Sequence, residues 1–103
     1  MRWLEEIRVR TPPRREKEVE QVLLDMAASV RENGQIKSAR VYYHHSSPGG
    51  FTLVLVWETG TVPVHGSETA MLILEGLKPL GLLDHVVLVP RERKAKAEEA
   101  SKA

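Results

Sequence analysis

The chain has 103 residues, no cysteine and a formal net charge of +1, with 42% hydrophobic and 28% charged residues. This composition suits one compact domain. It excludes a disulfide framework, thiolate metal sites and a thiol nucleophile, and it fits a reducing, cytoplasmic setting.

The charge is unevenly placed. Residues 1–90 carry ten basic and eleven acidic groups, and residues 91–103 carry five and three. A near-neutral body offers no electrostatic footprint for a phosphate backbone, so nucleic acid is not expected as a partner. No run approaches the roughly 18 apolar residues that span a bilayer. The opening MRWLEEIRVR is too charged for the apolar core of a signal peptide. No membrane association is expected.

Residues 5–10, EEIRVR, alternate: Ile7 and Val9 fall on one side, Glu6, Arg8 and Arg10 on the other, a strand pattern. Thr11-Pro12-Pro13 ends it, since proline cannot donate to a ladder but is well placed at a helix start. A helix is predicted over residues 13–32. Val19, Val22, Leu23, Met26, Ala27 and Val30 make one stripe, acidic residues sit near its beginning, and Asn33-Gly34 supplies a left-handed stop.

Residues 36–45 and 51–58 read as strands flanking the turn SSPGG, and they are predicted to pair as an antiparallel hairpin. Residues 59–66 connect to a second helix over 68–78, with Ser67 as its N-cap and Pro79 at its end. Residues 83–89 form a last strand. The domain occupies residues 1–90, and residues 91–103 form a charged, flexible tail.

The order β-α-β-β-α-β is the signature of a ferredoxin-like α+β sandwich, with a four-stranded antiparallel sheet, first and third strands central, and helices on one face. The uncovered face of such a sheet is normally polar. Here Phe51, Leu53, Leu55 and Trp57 line one side of the third strand, but Val54 and Val56 occupy the other. The last strand repeats this with Val86 and Leu88 against Val87 and Val89. Apolar residues on both faces call for a second cover. A homodimer packed sheet to sheet supplies one.

The layout, the proline pair before the long helix, the hairpin RVYYHHSSPGGFTLVLVWE and the segment HGSETAMLILEGLKPLG resemble the antibiotic biosynthesis monooxygenase-like family over about residues 4–90. The resemblance implies a dimeric α/β barrel, with assembly beyond the dimer left open, and two chemistries among its members. Some oxidise polyketide phenols without metal or flavin; others bind and degrade haem. The haem-degrading relatives use an asparagine on the first strand, a tryptophan at the end of the third and a histidine inside the second helix. Trp57 matches the tryptophan. The first strand has no asparagine, and His65 precedes the helix, so haem chemistry is not expected and no cofactor is assigned.

The candidate site gathers titratable and aromatic groups around the hairpin. His65, Trp57 and Tyr43 are the candidate catalytic residues: a histidine titrates near neutral pH and can act as acid or base at a pocket mouth. Tyr42, His44, His45 and Phe51 are the candidate ligand contacts. Each also has a structural reading, as a hairpin-end residue or a cross-strand aromatic pair. Consecutive strand residues point to opposite faces, so His44 and His45 cannot chelate one ion, and no metal site is expected. His85 reads as a local edge hydrogen-bond partner. Arg8 and Arg10 read as dimer-seam residues pairing with Glu6 or Glu58. Two functions follow: an enzyme oxidising a small aromatic or quinol-type molecule without a metal, or a non-catalytic dimeric module that binds a small molecule or a protein.

Overall fold

The structure, a computed structural model, describes residues 1–92. The tail expected over 91–103 therefore lies almost wholly outside the described residues. Strands β1 (Arg2–Arg10), β2 (Ile36–Tyr43), β3 (Gly50–Glu58) and β4 (Leu82–Leu88) alternate with helices α1 (Glu16–Val30) and α2 (Glu68–Leu77) in the expected β-α-β-β-α-β order. The sheet runs β2-β3-β1-β4 and every pairing is antiparallel, so the first and third strands are central.

Strand alternation sorts the faces. On β1 the side chains of Trp3, Glu5, Ile7 and Val9 are buried under the helices, and Arg8 and Arg10 are exposed on the other face. On β3, Phe51, Leu53, Leu55 and Trp57 are buried, and Val54 and Val56 are half-buried opposite them. α1 closes the core with Val19, Leu23 and Ala27, one helical turn apart, and α2 does so with Ala70, Ile73 and Leu77. Each large aliphatic side chain buried this way contributes about 1.5–3 kcal/mol.

Three local features depart from the sequence reading. An extra residue at Lys37 bulges β2, which lets Ile36 and Ala39 both face the core although they are three residues apart. The first helix begins as a 3-10 turn at Pro13–Arg15. It ends at Val30 without a left-handed glycine. Among the described residues only Gly49 and Gly66 have positive φ, and the chain after α1 turns instead on the Asn33 side chain, which accepts from the Gln35 amide at 2.9 Å.

Gly49, at φ +83°, lies against the Thr11 carbonyl, and its amide donates to Glu16 Oε1 at 2.6 Å. The hairpin turn is thereby tied to the start of α1. Among the described residues, helices cover one face of the sheet only. Across the other, Val56, Leu4 and Leu88 sit side by side on β3, β1 and β4. Among the described residues no helix is long and apolar enough to cross a membrane.

Candidate functional site

Where β1 begins and β3 ends, Trp3 and Trp57 are cross-strand partners. Their rings stack with centroids 5.5 Å apart and planes 9° from parallel. Their polar edges diverge. The Trp3 indole donates to Thr59 Oγ1 at 2.7 Å, and the Trp57 indole donates to Glu5 Oε1 at 2.8 Å.

Glu5 is fully buried. An ionised carboxylate in that position is tolerable only when its oxygens are saturated with donors. The fold supplies four. Oε1 accepts from the Trp57 indole and from the Ser67 hydroxyl at 2.5 Å. Oε2 accepts from the Ser67 amide at 3.0 Å and from His85 Nε2 at 2.8 Å. A carboxylate only accepts, which makes Nε2 the protonated nitrogen of His85 in this pair.

Ser67 is also the N-cap of α2, its hydroxyl accepting from the Ala70 amide at 3.0 Å. Gly66, at φ +93°, leaves the room: a Cβ there would lie 2.6 Å from Glu5 Oε2 and collide with the His85 ring. One carboxylate thus joins β1, β3, β4 and the start of α2.

Beside this cluster opens a cleft of about 480 Å3 between the sheet end and α2. Trp3, Trp57, Thr59, Ser67, Glu68 and Thr69 line it, and Asn33 and Gln35 close one side. Aromatic walls with a few convergent polar groups, at this volume, suit a small organic ligand.

The candidate residues of the hairpin do not converge on this cleft. Trp57 lines it. His65 is exposed, two residues before Ser67, and its side chain makes no hydrogen bond among the described residues. Tyr43 and Phe51 meet edge to face, centroids 5.3 Å apart, at the far end of β3. Phe51 and Trp57 are six residues apart, about 20 Å at the strand rise. The Tyr43 hydroxyl donates to Glu16 Oε1 at 3.2 Å.

Tyr42 and His44 stand on the opposite, open face, where His44 Nε2 meets Thr52 Oγ1 at 2.5 Å, and His45 is exposed. Strand length and pleat divide the expected single pocket into separate places. Among the described residues no group of three His, Asp or Glu side chains could hold a metal ion.

One further expectation is corrected, that for His85. His85 does not bond locally at the sheet edge: it points inward to Glu5, 80 residues away in sequence. Arg8 finds its carboxylates within one chain, Asp84 at 2.9 Å and Glu6 at 2.5 Å. Glu5 itself was not among the candidates. Its signal was present in the strand period, which puts Glu5 on the side of Ile7 and Val9, a charge on a face destined for the core.

No family model matches the sequence, and no curated protein matches it. Solved structures do. A Deinococcus radiodurans protein described as a candidate antibiotic biosynthesis monooxygenase superposes with a TM-score of 0.69 at 15% identity, over 90% of this chain and 96% of its own. A Caulobacter crescentus protein of the same description gives 0.68 at 18% identity, over 88% and 91%. One from Nitrosomonas europaea gives 0.69 at 5% identity, over 91% and 94%. The chain has their fold. At such identities the likeness is one of architecture, resting on layer order and hydrophobic pattern.

Proposed function

We propose that this chain is a monooxygenase-like oxidoreductase that oxidises a small aromatic or quinol-type molecule, without a metal, in the cleft beside Trp57. The observation that carries the reading is the cleft itself: a wall of stacked indoles meets the polar start of a helix. A planar ring meets the edges of Trp3 and Trp57 that line the cleft, and its hydroxyls reach Glu68 or Thr69. Shared architecture with proteins described as antibiotic biosynthesis monooxygenases supports the same reading.

A ring hydroxyl that loses its proton becomes an electron-rich phenolate, a reductant in its own right. In the simplest balance, a quinol passes two electrons and two protons to dioxygen, leaving quinone and hydrogen peroxide. A phenol with a free para position instead takes up one oxygen atom there and gives up the two hydrogens of its O–H and C–H bonds, leaving the quinone. The second oxygen atom departs with those hydrogens as water. Trp57 positions the ring. His65, on the exposed loop entering α2 and two residues before the lining residue Ser67, is proposed as the proton acceptor.

We also propose that the protein works as a homodimer, with two open sheet faces packed together across the row Val56, Leu4 and Leu88. The absence of cysteine suits a cytoplasmic setting.

One observation favours the second reading, a non-catalytic binding module. Glu5 has all four hydrogen bonds met inside the protein, so it presents no free base to a ligand. Oxygen uptake and quinone absorbance, measured over a panel of phenols and quinols, separate the two. The oxidase reading expects turnover that falls about a hundredfold or more in His65→Ala, the usual range for a general base, and that also falls in Trp57→Phe. Ligand binding without oxygen uptake, unchanged in those variants, leaves the module.

A further inference from the structure

The cleft beside Trp57 is built with charge of one sign. Among the described residues its lining holds no lysine, arginine or histidine, Glu68 stands at its lip, and Glu5 lies directly behind Trp57 and Ser67. The start of a ten-residue helix ordinarily attracts anions. Here part of that attraction is answered from within, because the Glu5 carboxylate takes both the amide and the hydroxyl of the N-cap Ser67. The Trp57 indole also points its donor away from the cleft, onto Glu5. His85 Nε2 also lies 2.8 Å from Glu5 Oε2.

An incoming anion meets two carboxylates, one of them behind a wall of low dielectric. An uncharged ring with hydroxyl donors meets no such repulsion, and the Glu, Asn, Gln and Thr side chains of the lining offer it acceptors.

We propose that Glu5 sets the specificity of the cleft, as an internal anion that admits uncharged phenol and quinol rings and turns away their carboxylated or phosphorylated analogues. The inference rests on the cleft being the ligand site and deepens that reading. Glu5 acts through Trp57 and Ser67, so it is a positioning residue.

The test titrates the full chain, without oxygen, with gentisate and with its methyl ester, two rings that differ in one charge and one methyl group. The protein has two tryptophans, whose indole N–H groups bond to different acceptors and so report separately by NMR. The ester is expected to shift the Trp57 indole signal and to bind at least about tenfold more tightly than the acid. In Glu5→Gln that ratio falls to within about twofold. Glu68→Gln, at the exposed lip, keeps most of the ratio, and it decides the matter if Glu5→Gln does not fold.

Equal affinities in the native chain, tighter binding of the acid, a ratio lost in Glu68→Gln, or no shift with either compound overturns the proposal. Oxygen uptake is scored separately. A charge preference without turnover removes the oxidase reading and leaves this one standing; turnover without preference does the reverse.

Discussion

Trp3 and Trp57 lie one on the other across β1 and β3, yet their indole N–H groups bond to unlike partners, a threonine hydroxyl and a buried carboxylate. The two rings therefore differ in how much the fold depends on them. Trp57→Phe keeps most of the ring but removes one of the four donors to Glu5, and it is expected to cost about 1–3 kcal/mol for the under-bonded carboxylate. Trp3→Phe loses a bond to a partly exposed hydroxyl, worth about 1 kcal/mol. Urea unfolding of both variants measures the order, and a larger loss in Trp3→Phe refutes this account of the pair.

Gly66 and Gly34 give a matched contrast. Gly66 has positive φ and faces Glu5 and His85, and Gly34 has neither a positive φ nor any atom near its missing Cβ. Gly66→Ala combines a left-handed alanine with an overlap onto the cluster and is expected to destabilise by about 3 kcal/mol or more. Gly34→Ala is expected to be neutral or to stabilise by up to about 1 kcal/mol, through the unfolded chain. Thermal and urea melts of the two variants should separate clearly.

The open face is tested by size. Leu4 stands between Val56 and Leu88 across three strands, a stripe of apolar surface that a second sheet can cover. Sedimentation at micromolar concentration is expected to find about twice the 11.6 kDa of one chain. Val56→Asp is expected to return the single chain with its circular dichroism intact, since the aspartate then faces water. A native particle of one-chain mass ends the dimer proposal.

Tyr43 supplies a pH prediction. Partial burial, and then its hydrogen bond to Glu16, hold its phenol above the ordinary tyrosine value. A group whose folded value is raised contributes stability that is present below the unfolded value, about 10, and is lost as pH climbs through the folded one. In a Tyr42→Phe chain the remaining phenolate absorbance should appear above pH 10 or so. Glu16→Gln should lower the midpoint without restoring it fully, because burial is the larger cause. A midpoint at or below the ordinary value contradicts the geometry described for this hydroxyl.

The architecture was legible in the residue string because it is written in periods. Alternation at Ile7 and Val9, the stripe from Val19 to Val30, and Ser67 before an apolar run each act within a few residues. The sheet order then follows from how such elements can pack. The two-sided apolar character of β3 was readable in the same way. The site was not.

Its decisive members, residues 5, 57, 67 and 85, lie on four elements, and only chain folding brings them within hydrogen-bond reach. The sequence marked Glu5 as a charge on a buried face, but a period of two says nothing about which donors will surround it. It also grouped the hairpin aromatics because they are neighbours in the chain, and the pleat and the length of β3 then set them apart. Local pattern decides which way a side chain points. What it meets there depends on contacts between distant residues, and those exist only once the layers have closed.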